Sequence, residues 1–299
     1  MIRIGIDFGG TKIEAAALDA AGHIIERLRE PNPGSYDAAL ATTRDLIDAI
    51  EAKVGGGATV GVGLPGSVSP KTGVARNANT TWLNGRPFRA DLCTALGREV
   101  RVANDANCLA LSEAVDGAGA GADVVFAVIL GTGCGGGVTA GGRLIEGLNG
   151  VGGEWGHMPL PWPKPSEYPA PACWCGQHGC LELYCSGTGF QADYRGATGK
   201  DDKGARIIEL MRAGDVEAMA SFDRYADRLG RALSVVVNLI DPNVIVLGGG
   251  MSNVGELYDA LRPVITSHIF SDVFETPIKP AVHGDSSGVR GAAWLWPAD

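Results

Sequence analysis

The sequence uses one short arrangement twice: an apolar strand that runs straight into a glycine turn and leaves it as a second strand. The first copy is residues 2–6, then Asp7-Phe8-Gly9-Gly10-Thr11, then residues 13–18. Asp19-Ala20-Ala21-Gly22 reads as a hairpin turn into a third strand at Ile24-Ile25. The second copy is Val124–Leu130, then Gly131-Thr132-Gly133-Cys134-Gly135-Gly136-Gly137, then a strand at Val138-Thr139. Ala140-Gly141-Gly142 turns it into a last strand at Leu144-Ile145. Repetition of a whole supersecondary unit predicts two related lobes. Between and after the copies, apolar residues recur at helical spacing in Tyr36–Val54 and in residues 108–115, 207–211, 218–240 and 257–265. Thr59–Leu64 and residues 244–247 read as buried strands, and 288–296 as a short terminal helix that packs by its tryptophans. Strands alternating with helices define an α/β fold.

A chain of 299 residues can build two such lobes around large cores. Its formal charge of -9 disfavours nucleic acid and anionic membrane surfaces as partners. No apolar run is long enough to span a bilayer. The opening Met1-Ile2-Arg3-Ile4-Gly5-Ile6 is a strand, not a charged segment followed by an apolar one. These features predict a soluble cytoplasmic protein with no membrane partner.

The 45 glycines cluster at the turns, and that is where close approach to a phosphate is easiest. In the first turn Gly9 and Gly10 expose the backbone, Thr11 offers a hydroxyl and Lys12 a cation. Asp7 would repel phosphate unless a Mg2+ lay between them. In the second turn Gly131, Gly133 and Gly136 match the spacing of a dinucleotide fingerprint. That fingerprint must open a helix, and Gly137-Val138-Thr139-Ala140-Gly141-Gly142 cannot propagate one. A dinucleotide-binding dehydrogenase is therefore disfavoured, and the P-loop pattern is absent. Two strand–turn–strand loops across a cleft suit the β- and γ-phosphates of ATP. A third glycine turn, Gly248-Gly249-Gly250, reads either as a tight strand-to-helix turn or as a place for a flat adenine ring.

Asn104-Asp105-Ala106-Asn107 precedes a helical run, so one of these residues caps it. A carboxylate at a helix start stays ionised and can accept a proton from a substrate hydroxyl during phosphoryl transfer. Downstream, Cys173-Trp174-Cys175-Gly176-Gln177-His178-Gly179-Cys180 puts three thiols in eight positions, with glycines that let the chain fold round an ion. Such a set suits structural Zn2+, with His178 or the upstream His157 as fourth ligand.

Together these residues resemble the ROK family of sugar kinases and repressors, over essentially the whole chain. The most specific parts are Glu154-Trp155-Gly156-His157 and Cys173-x-Cys175-Gly176-x-x-Gly179-Cys180-x-Glu182. The resemblance implies a two-lobed, actin-like sugar kinase fold of duplicated ribonuclease-H-like lobes with a zinc-binding loop. The expected lobes are residues 1–115, to which a helix at 284–299 returns, and residues 116–283. It implies ATP, Mg2+ and Zn2+ as cofactors, a hexose substrate and a homodimer. It makes Asp105 the catalytic base and Asn104, Asp105, Glu154, His157 and Glu182 sugar contacts. It makes Asp7, Gly9, Gly10, Thr11 and Lys12 one phosphate loop and Gly131, Thr132, Gly133, Cys134 and Gly135 the other. Gly248, Gly249 and Gly250 fall to the adenine site. His157 becomes the fourth zinc ligand beside Cys173, Cys175 and Cys180, although a Pro-rich insert at 159–171 separates it from them and leaves His178 as an alternative. The repressors of this family carry a helix-turn-helix domain ahead of the first loop, which here begins at Asp7. Within the family, the stretch Asn77-Ala78-Asn79-Thr80-Thr81-Trp82-Leu83-Asn84-Gly85 is similar to that of bacterial fructose kinases. This makes Asn79 a substrate contact and predicts fructose phosphorylation at the 6-hydroxyl with mannose as a weaker substrate. N-acetylglucosamine or glucose kinase is the alternative.

Overall fold

The computed structural model describes residues 1–297, whose chain separates into two compact units. The first comprises Met1–Gly121, Gly137–Gly153 and the described residues from Val282 onward; the second comprises Ala122–Gly136 and Glu154–Ala281. The expected division at 115 assigned residues 137–153 to the larger lobe, whereas they pack with the first unit. Of the expected helix at 284–299, the last two residues lie outside the described residues.

The first sheet holds β1 (Arg3–Phe8), β2 (Lys12–Leu18), β3 (Ile24–Pro31), β4 (Thr59–Leu64) and β7 (Val100–Asn104), in the order β3-β2-β1-β4-β7. The first three form an antiparallel meander, and β4 and β7 continue it in parallel with β1. Helices α1 (Tyr36–Val54), α2 (Phe88–Leu96) and α3 (Asp105–Asp116) follow β3, precede β7 and follow β7 respectively, and a short ribbon pairs β5 (Ser67–Val68) with β6 (Ala75–Arg76). The second sheet contains β8 (Val124–Leu130), β9 (Cys134–Ala140), β10 (Arg143–Leu144), β11 (Val244–Gly248) and β12 (Ile278–Pro280), in the order β10-β9-β8-β11-β12. Here too β11 is parallel to β8 and β12 parallel to β11. Helices α4 (Glu182–Cys185), α5 (Gly187–Thr198), α6 (Gly204–Arg212), α7 (Val216–Ile240) and α8 (Glu256–His268) complete the second unit, and α9 (Ser287–Trp294) belongs to the first.

Alternation along β1 explains why its residues read as buried throughout. Ile4, Ile6 and Phe8 join Val60, Val62 and Leu64 of β4 in one core with Ile47 and Ile50 of α1. Arg3, Gly5 and Asp7 take the opposite face, where α9 lies. There a side chain at Gly5 would sit 1.8 Å from the Val289 carbonyl, and one at Gly61 would sit 1.8 Å from that of Ala292. The helix backbone therefore rests directly on the strands. The terminal tryptophans secure it: Trp296 donates Nε1–H to the Val60 carbonyl at 2.7 Å, and the Arg3 guanidinium covers Trp294 at 4.8 Å.

The second glycine turn is shorter than its sequence suggests. Only residues 131–133 turn, and Cys134 already begins β9. The glycine at 137 serves packing, because a Cβ there would meet the Ala106 carbonyl of α3 at 2.6 Å. Elements α2, β7 and α5 were not anticipated from the sequence.

Candidate active site

Parallel strands share a direction, so the carboxyl ends of β1, β4 and β7 lie at one edge of the first sheet, where ligands of open α/β sheets bind. That edge gathers Asp7, Gly66 and Asp105. Asn104 is the N-cap of α3, accepting from Ala106 N–H at 2.8 Å and donating Nδ2–H to the Gly66 carbonyl at 2.8 Å. The expected substrate residue Asn104 thus has structural work for both ends of its amide. Asp105 opens the helix. Every residue from Ala106 to Ala114 is buried, yet Asp105 is exposed. Cys108, one turn on, is fully buried, and burial followed by the nearby Asp105 and Asp7 carboxylates pushes its thiol well up.

In the first turn, the Gly9 carbonyl accepts from Asn32 Nδ2 at 2.7 Å. A trans peptide points its N–H opposite to its carbonyl, so the Gly10 N–H faces away from Asn32. Thr80 Oγ1 lies 3.2 Å from the Cβ position of Gly10, which brings Asn79-Thr80 beside the turn, with Asn79 exposed. The Asp7 carboxylate lies 3.2–3.5 Å from the Cβ position of Gly288 in the first turn of α9. Lys12 is less available than its sequence suggests, since it pairs with the buried Glu14 at 3.7 Å, which also binds Arg27 and Arg29.

In the second unit, the turn after β8 is fixed by the start of α5. Gly187 N–H donates to the Gly131 carbonyl at 2.7 Å, and Thr188 Oγ1 to the Thr132 carbonyl at 2.6 Å. By the same peptide geometry, the N–H groups of Thr132 and Gly133 face away from α5. Cys134 N–H donates to Glu182 Oε2 at 3.3 Å, and a side chain at Gly133 would come within 2.7 Å of that oxygen. The Cys134 thiol is buried and burial pushes it well up, so its contribution here is its backbone.

Beside this turn is a cavity of about 620 Å3. Thr132, Thr188, Gln191, Ala205, Ile208 and Gly250 line it, together with Arg212 and Asn253. Of the expected adenine residues, Gly250 lines the cavity, and Gly249 sits at φ +80° where a side chain would strike the Leu130 backbone at 2.7 Å. Gly248 ends β11 and is buried. The sequence reading placed a helix at 207–211, within α6, without assigning it to a site, and missed α5; the run Ser186-Gly187-Thr188-Gly189 was the available signal for α5, with Ser186 Oγ capping it through Gly189 N–H.

The ligand atoms of His157, Cys173, Cys175 and Cys180 lie within 4.8 Å of one another. Cys175 and Cys180 sulfurs are 3.6 Å apart and His157 Nδ1 is 3.8 Å from Cys173 Sγ. A tetrahedron with Zn–S bonds of about 2.3 Å has edges of roughly 3.8 Å, so this donor set fits zinc. Burial and the neighbouring Cys175 and Cys173 push the Cys180 thiol up to about 12, while the Gln177 backbone lowers that of Cys175. His178 is exposed and stands outside the cluster. The long insert does not displace His157, because the chain on either side is held together. Leu181 N–H donates to the Met158 carbonyl at 2.8 Å and Leu160 N–H to that of Gly179 at 2.9 Å. The insert itself is pinned on α7, where its buried Glu167 accepts from Arg228 at 2.9 Å and Arg231 at 2.6 Å. Glu154 immediately precedes the short turn Trp155–His157.

The two sheets of identical order, with glycine turns at their strand ends, are those of the two-lobed α/β sugar kinase fold. The chain belongs to the ROK family, which it matches over residues 3–299. It is 41% identical over 296 residues to an N-acetyl-D-glucosamine kinase of Pectobacterium atrosepticum, covering 97% of each chain. It is 38% identical over 296 residues to that of Escherichia coli, covering 97% of this chain and 98% of the relative. Among solved structures, a ROK hexokinase from Thermus thermophilus superposes with a TM-score of 0.87 at 32% identity, over 98% of this chain and 97% of that one. A ROK family glucokinase from Streptomyces griseus, solved with glucose and AMPPNP, gives 0.80 at 30% identity over 99% of both. Among the described residues no helix is long and apolar enough to cross a membrane.

Proposed function

We propose that this chain is an ATP-dependent sugar kinase whose acceptor is N-acetyl-D-glucosamine, phosphorylated on its primary 6-hydroxyl. The near full-length similarity to proteins named N-acetyl-D-glucosamine kinase carries the choice of sugar. It favours the alternative reading of the sequence over fructose, which rests on the 77–85 stretch alone.

In this proposal Asp105 orients the 6-hydroxyl and accepts its proton as the γ-phosphoryl group is transferred. Its exposed place at the start of α3 leaves it open to that task. The Gly10 N–H, with Thr11 and Lys12, and the N–H groups of Thr132 and Gly133 meet the nucleotide phosphates. The cavity beside α5 and α6, ending on Gly250, takes the base and ribose. Asp7 would hold Mg2+, which supplies charge neutralisation of the phosphates. Asn79, Asn104, Glu154, His157 and Glu182 contact the remaining sugar groups. Zinc at His157, Cys173, Cys175 and Cys180 is structural and fixes the loop that bears two of these contacts. Phosphorus NMR of the product from N-acetylglucosamine and MgATP tests the reading. The expected product is a phosphomonoester on the primary carbon, with no turnover of the 6-deoxy sugar. Turnover of the 6-deoxy sugar at a comparable rate would refute it.

A further inference from the structure

Trp174 lies between two of the clustered cysteines and is 63% exposed. Burial therefore explains little of its presence. Its polar and edge contacts are more specific. Its indole Nε1–H donates to Glu182 Oε1 at 2.8 Å, and its ring meets that of His157 edge-on at 5.0 Å between centroids. The other oxygen of Glu182 accepts from Cys134 N–H in the β8–β9 turn. Glu182 is thus gripped from both sides, by the cysteine loop through Trp174 and by the glycine turn through Cys134.

We propose that Trp174 is a positioning residue for sugar recognition, holding Glu182 so that its remaining lone pairs face the sugar hydroxyls. This rests on the reading above that Glu182 contacts the sugar. A carboxylate offers about four acceptor sites, so two donors leave room for substrate. An unheld glutamate would sample several rotamers and lose that aim. Because Cys173 and Cys175 flank Trp174, an ion that grips both also fixes the indole. Occupancy of the metal cluster is thereby linked to the direction of one sugar-binding carboxylate, without the metal touching sugar.

A double-mutant cycle on the zinc-loaded full-length protein tests this, using Trp174→Phe, Glu182→Gln and the pair. Affinity for N-acetylglucosamine is read by calorimetry without nucleotide, alongside kcat at saturating substrates and zinc content by elemental analysis. Trp174→Phe keeps an aromatic ring and removes the N–H. It is expected to weaken sugar binding by about tenfold, the scale of one hydrogen bond to a charged group. The same change should leave kcat within about twofold, leave zinc at one per chain, and have no further effect in the Glu182→Gln background. Unchanged affinity in Trp174→Phe, or an equal loss with and without Glu182, overturns the proposal. Loss of zinc from Trp174→Phe also overturns it, by making the residue a structural part of the metal loop. Native affinity in Glu182→Gln removes the sugar contact itself, and with it this inference. A loss in Glu182→Gln with none in Trp174→Phe defeats the inference and leaves the sugar contact standing.

Discussion

The two sheets have one strand order and have diverged in what stands at their strand ends. In the first, β1 carries Asp7 one residue before its end and β7 is followed directly by Asp105. At the equivalent places in the second sheet stand Ile129 of β8 and Ala281 after β12. The second sheet has instead gathered α5 and α6 around its turn, making a cavity of about 620 Å3. Both turns still fix glycine carbonyls against a neighbour, Asn32 in one and Gly187 in the other, and so turn N–H groups outward. A duplicated scaffold keeps outward-facing N–H groups in both copies, because that depends only on peptide geometry, and in the proposed reading both sets meet phosphate. The side chains differ, with acids at the strand ends of one copy and a cavity beside the turn of the other.

The sharpest way to break this comparison is to remove the acid from the first copy. Asp105→Asn should lower kcat by about 10²–10⁴, the usual contribution of a general base, while binding of sugar and of an ATP analogue persists. Near-native turnover would remove Asp105 from the chemistry. The next largest effect belongs to the second copy. Cys175→Ser should release zinc and weaken sugar binding through the loop that carries His157 and Trp174. Elemental analysis that finds zinc retained at full occupancy would contradict the ligand set.

A smaller and more selective effect is expected from the cavity wall. Ala205→Phe should raise the KM for ATP by roughly tenfold, within the range of a 1–3 kcal/mol overpacking clash, and leave sugar affinity alone. A change confined to sugar affinity would show that the cavity does not take the nucleotide. The smallest concerns acid. Burial pushes the Glu167 and Asp193 carboxyls up, but their arginine partners outweigh it and hold both below the ordinary range. The Arg212 fork, with the residue's own N–H, lowers Glu256 to about 2. Depressed carboxyls contribute stability that is present above their unfolded values near 4 and lost as pH falls toward the folded ones. Thermal melting should therefore weaken progressively from about pH 5 down to pH 2. A midpoint flat between pH 5 and 3 would deny the network this part.

Much of the scaffold was legible because burial leaves a period in the sequence. Tyr36–Val54, Thr59–Leu64 and Val124–Leu130 begin and end where their apolar patterns do. The glycine run at 131–137 misled, since glycine marks both a turn and a strand on which another backbone rests, and only the contact of Gly137 with α3 separates the two. Helix α5 escaped notice because its first turn is Gly187-Thr188-Gly189, weak helix formers held by the Ser186 cap. The choice between His157 and His178 was left open by spacing for a different reason, and only the family resemblance favoured His157. It depends on pairing between residues around 158 and 180, and on the seating of Glu167 against Arg228 and Arg231, which are contacts between distant positions.

The proposed activity stands or falls on kcat/KM for N-acetylglucosamine, glucose, mannose and fructose, measured with MgATP on the zinc-loaded protein. The account predicts the highest value for N-acetylglucosamine. A polar site that leaves its groups unpaired with a poorly fitting sugar discriminates heavily, so the others should fall well below it. A highest value for fructose would return the substrate to the reading of the 77–85 stretch, and no phosphoryl transfer to any sugar would contradict the kinase itself.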